Sequence, residues 1–147
     1  MRKIALFVFL ALVVYGCKTA SLSKTDSGVP DAAAPIKEVS PAEAQTAVSK
    51  AYSQFVDVRT PEEYSSGHAA RAINIPLDTL AANLDRLEKN EPVYVICETG
   101  GQSRSAAVLL KTAGFNNVLS VAGGTAAWRQ ANLPMETKPP HGPLPVP

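Results

Sequence analysis

The chain has 147 residues, 46% of them hydrophobic and 18% charged, which is enough apolar material for one core and too much for disorder throughout. Fourteen Lys and Arg against thirteen Asp and Glu leave a formal charge of +1 with no basic cluster, so nucleic acid is not an expected partner. The two cysteines, Cys17 and Cys97, are too few for a disulfide framework and lack the spaced partners of a structural zinc site; no metal or cofactor is expected.

Residues 1–16 have the pattern of a secretory signal peptide: Arg2 and Lys3, an apolar stretch from Ile4 to Tyr15, then the small Gly16. The stretch is shorter than the roughly 20 residues that a membrane-spanning helix needs. Val14-Tyr15-Gly16-Cys17 resembles a bacterial lipobox, with Tyr15 atypical of that pattern. The resemblance implies cleavage before Cys17 and lipid on its thiol; the alternative is an ordinary signal peptide with a cysteine near its cut. Several acyl chains on Cys17 would anchor the protein stably in the bacterial cell envelope, outside the cytoplasm. Lys18, standing where Asp marks inner-membrane retention in enteric bacteria, points to the outer membrane facing the periplasm. Residues 17–35 are small, polar and punctuated by proline, and read as a flexible tether.

Residues 36–137 read as one domain, with nine Lys or Arg against eleven Asp or Glu and hence a formal charge of −2. Ser40-Pro41-Ala42-Glu43 and Thr60-Pro61-Glu62-Glu63 each combine a hydroxyl cap, a proline at the first helical position and a glutamate that reaches back, so a helix is predicted after each. Phe55-Val56-Asp57-Val58 and Val93-Tyr94-Val95-Ile96 lack the alternation of a half-exposed strand and read as central, parallel strands. Ala72 to Ile75 and Val118 to Val121 are further strand candidates. Leu80, Leu84 and Leu87 recur at helical spacing after a predicted cap at Asp78. Such alternation predicts an α/β fold with functional groups near the carboxyl ends of its strands, and Cys97 ends one of them.

From Cys97 the sequence runs CETGGQSRSAAVLLKTAGF, a strand-to-helix turn interrupted by Gly100 and Gly101. Glycines let the backbone curl so that successive N–H groups point inward, a nest that stabilises an anion such as a thiolate or a persulfide. The plainer reading is a small buried residue at a strand end. Residues 138–147 hold five prolines in ten residues, which excludes helix and central strand and leaves a plain tail or a partner motif.

The cysteine loop resembles that of rhodanese domains, whose form is Cys-x-x-Gly-x-(Arg or Ser)-Ser followed by an alanine-rich helix; Cys97, Gly100 and Ser103 match it without a gap. Phe55-Val56-Asp57-Val58-Arg59, Glu63-Tyr64, Gly67-His68 and Ala72-Ile73-Asn74-Ile75-Pro76 resemble the family's first signature, and Gly123-Gly124 with Ala127-Trp128 its last. The resemblance spans about Val39 to Pro134. It implies a three-layer sandwich with a central, mainly parallel sheet of about five strands and helices on both faces. It also implies sulfur transfer: Cys97 would take a sulfane sulfur from a small donor and pass it to a thiol, cyanide or sulfite-like acceptor. The loop Glu98, Thr99, Gly100, Gly101, Gln102, Ser103 and Arg104 would hold the sulfur and substrate.

Several positions depart from the pattern. Glu98 stands where many active members carry Arg or Lys, and its charge is expected to disfavour a nearby thiolate and a thiosulfate dianion. Gln102 occupies a position where the family often has Arg, and Arg104 is left either to meet an anion or to sit exposed. Arg71 stands where relatives commonly have Gly. Asp57, Arg59 and His68 are expected to organise structure, and Trp128 to anchor the core. Two other functions fit the scaffold. One is a non-catalytic module that binds another envelope protein; the other is a cysteine phosphatase, disfavoured because six residues, not five, separate Cys97 from Arg104.

Overall fold

The structure, a computed structural model, describes residues 35–50 and 52–137. The signal-like segment, Cys17, nearly all of the tether and the proline-rich tail lie outside the described residues. Among the described residues, no helix is long and apolar enough to cross a membrane.

The two capping sequences start helices as expected. At α1 (Pro41–Val48) and α2 (Pro61–Ser66), the Ser40 and Thr60 hydroxyls accept from the N–H groups of Glu43 and Glu63. The two carboxylates accept in return from the cap N–H groups, at 2.9 and 3.0 Å. These bonds from Ser40 hold the Glu43 carboxyl below its usual range.

The strands are β1 (Lys37–Val39), β2 (Gln54–Asp57), β3 (His68–Ala69), β4 (Ile73–Asn74), β5 (Val93–Ile96), β6 (Val118–Val121) and β7 (Met135–Glu136). Five of them form one parallel sheet in the order β1-β6-β5-β2-β4, while β3 and β7 make a small antiparallel pair. β2 and β5 lie inside the sheet, which is why neither alternates apolar with polar side chains. Their residues divide by parity between two cores. Val56 and Val95 face a cluster with Leu80, Leu87, Phe115 and the α3 (Gly101–Thr112) residues Ala107 and Leu110. Phe55 and Ile96 face the other, with Val48, Tyr64 and Trp128 of α4 (Gly124–Gln130). α3 therefore covers one face and α1, α2 and α4 the other, giving the three layers.

The helix expected around Leu80, Leu84 and Leu87 does not form. Two 3₁₀ turns, Leu80–Ala82 and Leu84–Arg86, take its place, and Asp78 caps neither. Asn83 interrupts the segment at φ −123° and donates its side-chain N–H to the Thr79 carbonyl at 2.8 Å. Burying Leu80 and Leu87 requires only that these two reach the sheet, and short turns with i to i+3 bonds do so.

Trp128 is fully buried, donates its indole N–H to the Pro134 carbonyl at 2.9 Å and packs 5.3 Å from the Phe55 ring, a core anchor as expected. Tyr64 stacks on His68 at 3.6 Å and donates its hydroxyl to the Ala72 carbonyl at 2.6 Å. Burial, then the charges of Asp57 and Glu136, push the Tyr64 phenol from 10.0 up to about 12. The fold thus favours the neutral phenol: this contribution is whole below pH 10 and is lost as the pH rises through about 12. Urea unfolding of Tyr64→Phe should show a loss of about 1–3 kcal/mol at neutral pH, and a shallower fall in stability than wild type between pH 10 and 12. An equally steep alkaline fall in the variant would assign that limb to other groups.

Candidate active site

The parallel sheet brings the loops after β2, β5 and β6 to one edge. Cys97 directly follows β5 and is 1% exposed. The chain turns back at Gly100, whose φ of +102° lies in a region that L side chains rarely adopt, and α3 begins at the next residue. This turn aims two backbone N–H groups at Cys97 Sγ, from Gly100 at 3.1 Å and Ser103 at 3.3 Å. The Ser103 hydroxyl lies 3.6 Å from Sγ, donates to the Gly100 carbonyl at 3.0 Å and meets the Ser120 hydroxyl at 2.8 Å. A thiol finds an acceptor in Ser103, and a thiolate finds donors in the two N–H groups.

A second loop holds the first in place. Thr125 donates its N–H and its hydroxyl to the Cys97 carbonyl, at 2.7 and 3.1 Å, and the Ala126 N–H donates to the Glu98 carbonyl at 3.1 Å. The backbones approach so closely that a Cβ on Gly124, at φ +58°, would stand 2.2 Å from the Cys97 carbonyl oxygen. Gly124 is thus a packing requirement at the site, whereas a Cβ on Gly123 would meet Ala127 of α4 itself, at 2.6 Å.

Glu98 does not act as an isolated negative charge. Its two carboxylate oxygens accept separately from Arg59 and Arg129, each at 3.0 Å. Arg59 is buried and also holds Asp57, at 2.7 Å, and the Gly67 carbonyl, at 2.9 Å. Burial opposes the Arg59 charge, but Asp57 and Glu98 together outweigh it and raise the guanidinium's pKa above its usual value. Asp57 and Arg59 are structural, as expected, and their ion pair extends into the cysteine loop.

Arg104 is turned to β1, where its side chain pairs with Glu38; that hydrogen bond and charge, ahead of a smaller effect of Cys97, raise its pKa. Thr99, Gly101 and Gln102 are exposed, and Gln102 borders a groove of about 490 Å³ whose walls include Val58, Pro76 and Leu77. His68 is not brought to Cys97: its Nδ1 bonds the Tyr64 carbonyl at 2.9 Å and its Nε2 lies 3.7 Å from Glu136.

Residues 40–131 match the family model described as the rhodanese-like domain. The chain belongs to the rhodanese-like family. It is 36% identical over 93 residues to a thiosulfate sulfurtransferase GlpE of Vibrio cholerae, covering 63% of this chain and 88% of that one. It is 39% identical over 93 residues to thiosulfate sulfurtransferase 16, a chloroplastic protein of Arabidopsis thaliana, covering 55% and 78%. A crystal structure of a rhodanese-related protein from Thermoplasma volcanium superposes with a TM-score of 0.64 at 28% identity, over 69% of this chain and 99% of that one.

Within this rhodanese-like frame, Arg71 takes the left-handed conformation itself, at φ +70°, and its guanidinium donates to the Ser49 carbonyl at 3.3 Å. Sequence reasoning missed Ser120, Thr125 and Arg129 as parts of the site. Ser120 carried a signal, since it is a polar residue in an otherwise apolar strand. The Gly123-Gly124 pair after that strand marks a close backbone approach, although not the loop it approaches.

Gly124→Ala forces a shift of either loop and should destabilise the fold by about 3 kcal/mol. Chemical unfolding measures the loss, and a change within about 0.5 kcal/mol would show that the contact relaxes freely.

Proposed function

We propose that this chain is a sulfurtransferase that carries sulfane sulfur as a persulfide on Cys97. The carrying observation is the pair of N–H groups from Gly100 and Ser103 converging on Sγ inside a loop clamped from behind by α4. Negative charge at that position, on a thiolate or on the outer sulfur of a persulfide, is favoured by donors already fixed in place. The Cys97 thiolate attacks the sulfane sulfur of the donor, an S–S bond forms as the donor's own bond to that sulfur breaks, and the donor remnant leaves with the electron pair. A thiol, cyanide or sulfite-like acceptor then attacks the outer sulfur and the Cys97 thiolate departs. The two thiosulfate sulfurtransferases among the relatives support this reading. Phosphatase chemistry draws no support, because Arg104, the guanidinium that would close on a phosphate, is turned to Glu38.

The lipobox-like Val14–Cys17 supports a lipid anchor on Cys17, which would place the sulfur site in the bacterial envelope. Intact-mass analysis of protein extracted from membranes and incubated with polysulfide tests both assignments. The mass of one added sulfur should vanish in Cys97→Ser, and the mass of the acyl chains should vanish in Cys17→Ser. Sulfur that still loads on Cys97→Ser, or fails to load on wild type from any donor, would overturn the transfer reading. Unmodified Cys17 would overturn the anchor.

A further inference from the structure

Among the described residues, the three arginines that the cysteine loop carries or contacts are each paired with a carboxylate. Arg59 holds Asp57 and Glu98, Arg129 holds the other oxygen of Glu98, and Arg104 holds Glu38. Glu98 therefore affects an incoming anion mainly by occupying Arg129, the accessible one of its two guanidiniums, since Arg59 is buried. The groove beside the loop offers no substitute. Its walls are apolar at Val58, Pro61, Pro76 and Leu77, its polar groups include Gln102 on the loop itself, and among the described residues its one charged residue is Asp78, which is exposed. Among the described residues, Asp78 makes no ion pair.

Among the described residues, a dianion entering this groove meets one negative charge and no unpaired cation. A small alkyl persulfide meets apolar walls for its carbon skeleton and an amide for its polar end, and an ammonium on that skeleton gains Asp78 as a counter-ion. We propose that this groove selects small persulfide donors with a neutral or cationic carbon skeleton over the thiosulfate dianion, with Gln102 and Asp78 as the specificity-determining residues. The proposal rests on Cys97 being the sulfur carrier and names its donor class. The step balances without an outside oxidant: the Cys97 thiolate and R–S–SH give the Cys97 persulfide, Cys97–S–SH, and the thiolate R–S⁻.

The test measures loading of sulfur on Cys97 of the full chain, by mass, from three donors: thiosulfate, the neutral persulfide of 2-mercaptoethanol and the cationic persulfide of cysteamine. Comparing each variant's ratio between donors with that of wild type cancels differences in intrinsic donor reactivity. Gln102→Arg should raise the ratio of thiosulfate to neutral-persulfide loading about tenfold. Asp78→Asn should lower the ratio of cationic to neutral loading several-fold and raise that of thiosulfate to neutral. Ratios unchanged in both variants, with all donors still loading Cys97, would overturn the donor assignment and leave the carrier reading intact. No loading of wild type from any donor would overturn both.

Discussion

The site depends on two backbone carbonyls that have nowhere to go but the neighbouring loop. Cys97 and Glu98 leave the buried end of β5 with oxygens that must be satisfied inside the protein, and Thr125 and Ala126 at the start of α4 supply the donors. Because β5 and β6 are adjacent in the sheet, the two loops emerge side by side. Glycine at position 124 lets them close to bonding distance. With its first residues clamped there and its end built into α3, the cysteine loop is held at both ends, and the Gly100 and Ser103 N–H groups face Sγ.

The charge arrangement follows from the same geometry. Glu98, the residue after the sulfur, accepts from Arg59, just past β2, and from Arg129 of α4, and both guanidiniums also donate to the Gly67 carbonyl just before β3. Asp57 and Glu98 share the buried Arg59. An acidic residue beside the cysteine is thereby accommodated by local pairing, and the groove beside the loop combines apolar walls with Gln102 and the acidic Asp78. A buried pair of this kind is weak evidence for net stability, but removing one partner would strand the others, so it fixes the relation of the loops.

Much of this could be read along the chain. The capping boxes at Ser40 and Thr60, the inner strands β2 and β5, and the turn at Cys97 all follow from local chemistry: hydroxyl, proline and glutamate spacing, unbroken β-branched runs, paired glycines. β1, β3 and β7 could not be seen, because each is two or three residues long, only partly apolar, and defined by a partner far away in sequence. The leucines 80, 84 and 87 mimic helical period, yet two of the three reach full burial through 3₁₀ turns. At the site, Cys97 and its glycines were legible, whereas the fate of Glu98 and Arg104 was not: each finds its partner 31 to 66 positions away.

The central claim is that the backbone N–H groups of Gly100 and Ser103 hold the sulfur of Cys97 and its persulfide. Amide resonances of the ¹⁵N-labelled protein, recorded before and after loading with polysulfide, test this directly. The account predicts that the Gly100 and Ser103 resonances shift farther on loading than those of β2 and β6. If mass shows sulfur on Cys97 while these two amides stay unmoved, the loop does not hold the persulfide in the way its geometry indicates.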